Sequence, residues 1–361
     1  MKKILIGLNL SFFIVSIIFI AIYYYYLLKK TSKRNLVFKT KAISEKNLKI
    51  KEEKLTIEKI FQKLPKKDFV LEKKDNKIYL IATGDIIPAR SVNYIMTKLN
   101  DFAHPLKKTS NFLIQGDLAV INLESPLVDN CPITIEGMIF CTHPNFIDGL
   151  KTINKNLIIN IANNHFEDYG EENSKKTINL LNKNNFLTFG NEKEAIIKIK
   201  NKIFGFLGFN FIAGGKIIKD EEIKKMILDL RKKVDFVIIS YHWGDEYTNL
   251  PNEKQKFYGI LAIDNGADLV IGNHPHWIQA MEIYKNKPII YSHGNFIFDQ
   301  MWSEKTRQGI IALYVFEEKK IADIYFYPII IENYNQPRFA DENEAKKILE
   351  EMYNNSKKIK N

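Results

Sequence analysis

At 361 residues, 45% of them apolar, the chain can bury one large core and is too long for a minimal domain. Its formal net charge of +11 comes mostly from lysine and is unevenly distributed. The basic residues lack interleaved aromatics and a recognition fold, which argues against a nucleic-acid partner.

Residues 4–28 carry no charge. At about 1.5 Å per helical residue such a run exceeds the ~30 Å of a bilayer hydrocarbon core, so it predicts a transmembrane anchor over residues 1–28. Tyr23 to Tyr26 fall where an interfacial aromatic belt belongs, and Lys29 and Lys30 close the span. A cleaved signal peptide is the competitor, but the run outlasts a usual h-region and no small-residue cleavage site follows. Lys2 and Lys3 precede the span, whereas Lys29, Lys30, Lys33, Arg34, Lys39 and Lys41 follow it, a bias that would leave the domain in the cytoplasm. Against it stand the two cysteines, Cys131 and Cys141, ten positions apart in one loop. An intraloop pair suits an oxidising compartment, and an extracytoplasmic domain is the favoured orientation.

Residues 29–76 read as a basic juxtamembrane stalk, with Leu55, Ile57, Ile60, Phe61 and Leu64 at near-helical spacing in its second half. Beyond Asn76 short apolar or β-branched runs end in polar loops: Ile78 to Ala82, Leu118 to Asn122, Leu157 to Ile161, Val234 to Ser240, Leu269 to Ile271 and Ile289 to Tyr291. Such runs suit strands buried on both faces of an α/β domain, placed here at residues 77–335. Helices are predicted over Ser174 to Asn184, Asp220 to Lys233 and Asn252 to Asn265. Antiparallel hairpins are predicted over Ile196 to Phe209, turning at Asn201, and Ile310 to Ile331, turning near Lys319. The tail, residues 336–361, opens its helix with a capping box from Asp341 to Glu344.

In α/β sheets chemistry collects beyond the carboxyl ends of strands. Five predicted strand ends here carry metal-competent side chains: Asp85, Glu124, Asn164 with His165, His242 with Glu246 beyond, and His274 with His276. Each alone has a bland structural reading, but two carboxylates, an amide and several imidazoles arriving together make the mixed shell that Zn, Mn, Fe or Co sites use. His274-Pro275-His276 is the sharpest local signal, because on an extended backbone residues i and i+2 project the same way. Glycines at Gly84, Gly244, Gly272 and Gly294 permit sharp turns and close backbone approach.

The segments TGDIIPAR, VINLESPL, NNHFEDYG, SYHWGDEY, GNHPHWIQ and YSHGNFIFDQ, in that order from residue 83 to 300, resemble the CapA-type capsule-synthesis proteins of the calcineurin-like metallophosphoesterase superfamily. The resemblance implies a four-layer α/β/β/α sandwich with a two-metal centre holding one or two divalent ions such as Mn, Zn or Fe. Asp85 and His276 would serve the first ion, Asn164, His242 and His274 the second, and Glu124 would bridge them. His165 would protonate a leaving group, and Arg90 would clamp an anionic substrate group. The sequence departs from the superfamily at Asp85-Ile86-Ile87, which lacks the usual histidine, and at Glu124, where an aspartate usually bridges. His293 departs from the closer family's Ser-Leu-Gly-Asn; it is a candidate replacement ligand, with a packed supporting role the favoured reading.

Two functions follow from this reading. One is an anchored metal-dependent hydrolase acting on poly-γ-glutamate or another anionic envelope polymer or ester. The other is a non-catalytic component that binds or exports such a polymer beside membrane synthase partners.

Overall fold

The computed structural model describes residues 20–33, 54–63, 71, 73–212 and 218–359. By its contacts the chain forms one unit of residues 1–54 and a second from Leu55 to Asn361. In the first, residues 20–33 are helical and exposed. No helix among the described residues is long and apolar enough to cross a membrane. Residues 1–19 of the expected span, and residues 34–53, 64–70 and 72 of the expected stalk, Leu64 among them, lie outside the described residues.

The larger unit contains β1 (Lys77–Ile86), β2 (Leu118–Leu123), β3 (Leu157–Asn160), β4 (Leu187–Phe189), β5 (Ala195–Ile199), β6 (Lys202–Asn210), β7 (Phe236–His242), β8 (Leu269–Asn273), β9 (Met281–Tyr284), β10 (Lys287–Ile290), β11 (Asn295–Ile297), β12 (Gln308–Glu317), β13 (Lys320–Glu332) and β14 (Gln336–Phe339). They form two mixed sheets, ordered β14-β13-β12-β1-β2-β3-β4, with β11 also on β1, and β5-β6-β7-β8-β10-β9. The expected strands all appear. The expected hairpins close through two-residue turns, with Ile199 paired to Lys202 and Glu317 to Lys320.

Alternation along the strands builds the layers, because successive side chains leave a strand on opposite faces. Leu80, Val120 and Ile158 of the first sheet meet Phe206, Ile238 and Ile271 of the second in a core between the sheets. Their neighbours Ile81, Ile121 and Ile159 face outward to Phe146 and Leu181. Ile239 and Val270 face the other way, to Ile227, Leu230 and Leu261. Helices Gly170–Lys183, Asp220–Arg231 and Glu253–Asp264 supply these outer layers close to their expected bounds. The result is an α/β fold of two mixed sheets with helices packed on their outer faces.

Two peripheral segments belong to the larger unit. Helix Ile57–Phe61 buries Ile60 in the core between the sheets, and Phe61 packs on Phe326 and Tyr353. At the other end β14 extends the first sheet, and helix Glu342–Ser356, with the expected capping box, buries Ile348, Leu349 and Met352.

One irregularity positions the site. Along Lys77 to Ala82 β1 pairs antiparallel with β12, but at Asp85 and Ile86 it pairs parallel with β11, with register shifts against both neighbours near Asp85. The exchange requires close backbone approach: a Cβ on Gly84 would sit 2.1 Å from the Gly294 carbonyl oxygen, and Gly294 itself has φ +71°.

Candidate metal centre

Every expected ligand lies at the C-terminal end of a parallel strand. Asp85 is near the end of β1, Glu124 follows β2, Asn164 and His165 follow β3, His242 ends β7, and His274 and His276 follow β8. Two groups of ligand atoms form, Glu124 with His274 and His276, and Asp85 with Glu124 and His242, each within 4.8 Å of one another and wholly buried. Asn164 joins them: its Oδ1 is 2.7 Å from His242 Nε2, which is itself 3.5 Å from Glu124 Oε1. Glu124 is common to both groups. The grouping otherwise cuts across the implied division, pairing His276 with His274 and Asp85 with His242.

The two imidazoles after β8 converge by a different backbone route from the extended one expected. His274 has φ 95° and His276 φ 56°, both left-handed, so the segment folds back on itself around Pro275. That conformation is uncommon for residues other than glycine and persists where surrounding bonds enforce it. Here Asp85 Oδ2 accepts from His274 N at 3.2 Å, and the Pro275 carbonyl accepts from Tyr247 N at 2.8 Å.

Behind the ligands lies a tier of amides. Asn122 Nδ2 donates to Asp85 Oδ1 at 2.9 Å and to Glu124 Oε2 at 3.1 Å, while its Oδ1 accepts from Asn160 and Asn163, each at 3.1 Å. Asn273 Nδ2 donates to Asp85 Oδ1 at 2.8 Å. Asn295 Nδ2 donates to the Thr306 carbonyl at 2.8 Å, which turns Asn295 Oδ1 toward His276 Nδ1 at 2.9 Å. An oxygen must accept there, so Nδ1 carries the hydrogen and Nε2 is left as the ligand atom. Sequence reasoning passed over these amides because they are uncharged and two of them end apolar strands; the available signal was an asparagine inside an otherwise aliphatic run.

Burial would raise Asp85, but the hydrogen bond and charge of His276, aided by His242 and Asn122, hold it at about 2. Burial and the Asp85 charge push Glu124 up to about 8. Burial pushes His242 down to about 3, and burial with the neighbouring imidazoles pushes His274 to about 2. Burial would also lower His276, yet its bond to Asp85 and the charges of Glu124, Asp85 and Glu246 raise it to about 9.

The residues fit a divalent cation. Glu124 Oε1 and His274 Nδ1 are buried with no hydrogen-bond partner, an expense that a bound cation would remove. At neutral pH His242 and His274 are neutral with lone pairs available, while Glu124 and His276 hold protons that a metal must displace. Loading Mn²⁺ or Zn²⁺ at pH 7 is therefore expected to release between about one and two protons per chain, and affinity should rise from pH 7 to 9. Calorimetry in buffers of different ionisation enthalpy measures the release; a buffer-independent enthalpy would contradict it.

His165 stands outside both groups. Its Nδ1 lies 2.8 Å from Asp168 Oδ2, which also accepts from Phe140 N at 2.6 Å, and the Phe140 ring packs on the imidazole at 4.2 Å. Arg90 differs from expectation: its guanidinium pairs with Asp299, donates to the Gly137 carbonyl at 3.0 Å and lies over the Phe140 and Phe298 rings. Its fork is thus engaged by the protein's own groups, bracing the Cys131 to Cys141 loop, whose disulfide is formed. His293 is packed between the Gly272 carbonyl and the Tyr314 hydroxyl, at 3.4 and 3.1 Å, in neither ligand group, and burial lowers it to about 4.

Residues 79–300 match the family described as bacterial capsule synthesis protein PGA_cap. The capsule biosynthesis protein CapA of Bacillus anthracis is 27% identical over 290 residues, 73% of this chain and 70% of that one. The PGA biosynthesis protein CapA of Bacillus subtilis (strain 168) is 29% identical over 300 residues, 76% and 77% of the two chains. A solved structure titled as a novel phosphatase of Mycoplasma pneumoniae superposes with a TM-score of 0.45 at 14% identity, covering 72% of this chain and 95% of that one. The family match spans more than half of the chain and takes in the whole ligand cluster, and the protein therefore belongs to the PGA_cap family of bacterial capsule synthesis proteins.

Proposed function

We propose that the protein is a membrane-anchored, extracytoplasmic, metal-dependent hydrolase that cleaves an ester or γ-glutamyl amide of an anionic envelope polymer, poly-γ-glutamate being the polymer class its relatives' names suggest. The observation that carries this reading is the buried Glu124 shared by two groups of ligand atoms, with an unpartnered oxygen among them. Asp85, Glu124, Asn164, His242, His274 and His276 would hold one or two divalent cations such as Mn, Zn or Fe. When bound, such ions polarise a substrate oxygen and activate water near neutral pH. The chain's own part is positional: Asn122, Asn273 and Asn295 fix the carboxylates and the His276 tautomer. His165, oriented through Nδ1 by Asp168, keeps Nε2 to give a proton to the leaving group. The uncharged run at residues 4–28 supports the anchor, and the Cys131 to Cys141 disulfide supports an oxidising location.

A specific observation favours the alternative, a polymer-binding component without turnover. Ile87 occupies the position of the superfamily's missing histidine and is fully buried among apolar side chains. Full-length protein loaded with Mn²⁺ or Zn²⁺ and given a generic phosphodiester and a γ-glutamyl peptide separates the two. Metal-dependent turnover is expected; stoichiometric polymer binding with no turnover in either assay would establish the alternative.

A further inference from the structure

Among the described residues of the larger unit the exposed large apolar side chains are scattered, except that Ile133, Ile135, Met138 and Ile139 stand within one short loop, exposed by 57, 62, 62 and 67%. The loop has a single charge, Glu136, and no lysine in a chain otherwise rich in it. It is also held from within. The disulfide closes its base, Arg90 Nη1 grips the Gly137 carbonyl at 3.0 Å, and Phe140 turns inward onto His165. Four largely exposed aliphatic side chains gathered on one braced loop mark an interaction surface. Bracing lowers the ordering entropy lost when such a loop enters another phase. The loop also walls a cleft of about 310 Å³ with Arg90 and Tyr169, and its Phe140 packs at 5.7 Å on Phe298, which in turn lies 5.4 Å from the His276 ring of the ligand cluster.

We infer that the tip of the Cys131 to Cys141 loop inserts into lipid and seats the mouth of the site at the bilayer surface, where it meets substrate carried there. The inference rests on the anchored reading above. Lipid is the occupant the sequence favours: the uncharged run at 4–28 supplies a tether, and the residues from 34 to 54 reach at most roughly 70 Å when extended. A surface within that distance is encountered continually, and aliphatic side chains on a loop that carries no lysine or arginine of its own suit its acyl boundary.

The test uses full-length protein reconstituted into phosphatidylcholine and phosphatidylglycerol vesicles with brominated acyl chains. Met138→Trp places a reporter at the tip; Phe257→Trp, on helix Glu253–Asp264 and 52% exposed in the wild type, is the control. The tip reporter is expected to be blue-shifted and quenched about threefold more strongly than the control, as insertion to the headgroup and acyl boundary requires. Protein that floats with the vesicles while both reporters quench alike overturns the loop inference and leaves the anchor standing. Protein that fails to float overturns both.

Discussion

Glutamine at position 124 is expected to empty the site while leaving the fold in place. Glu124 is the one carboxylate common to both groups of ligand atoms, and glutamine matches its shape. Partners outside the ligand shell typically change metal affinity by about 10- to 100-fold, so loss of a shared ligand should exceed roughly 100-fold. Elemental analysis of purified Glu124→Gln should find its metal content near zero beside loaded wild type. Stability without metal should move in the opposite direction. Glu124 holds its proton longer in the folded chain than in the unfolded one, so its contribution is complete below the ordinary carboxylate value of 4.5 and is lost as pH climbs toward about 8. His276 behaves alike, its contribution present below 6.5 and lost through about 9. Metal-free wild type should therefore lose stability from pH 6 to pH 9. Glu124→Gln, retaining only the His276 part, should lose less and melt above wild type at pH 9. With metal added the order reverses. Parallel pH dependence of the two metal-free proteins would show that Glu124 does not carry the proton assigned to it.

Alanine at His165 should separate chemistry from metal binding. The imidazole belongs to neither ligand group, so metal content should stay at the wild-type value. A positioned general acid contributes about 10²- to 10⁴-fold, and the turnover number should fall by that amount with little change in KM. Asp168→Asn should give a smaller loss, on the order of 10- to 100-fold, because the ring keeps its place against Phe140 but loses the carboxylate that fixes its tautomer. Turnover by His165→Ala within about twofold of wild type would remove the residue from the mechanism.

The ligand cluster was legible because metal binding demands residue types that strand ends otherwise rarely collect. Buried strands announce themselves as aliphatic runs, and Asp85, Glu124, His242 and His274 each sit at or just past the end of one. What escaped was whatever depends on long-range pairing. The substitution of β12 by β11 beside Asp85 leaves no local mark, since Asn295 to Ile297 is too short to read as a strand. The left-handed geometry of His274 and His276 is imposed by Asp85 and Tyr247, remote in sequence, so an extended segment was the natural expectation. Arg90 looked free because its partner, Asp299, lies more than two hundred positions away. The helix at Ile57–Phe61 was foreseen as an element, but its packing on Phe326 and Tyr353 was hidden for the same reason.

The fork in β1 has a consequence for how the protein matures. Asp85 is among the first residues of the domain to be synthesised, yet the strand that flanks it begins at Asn295, and the same asparagine orients His276. A nascent chain stopped before that point holds every proposed ligand but lacks the clasp that aligns them. The proposed ligands are thus brought into line only when nearly the whole polypeptide has emerged.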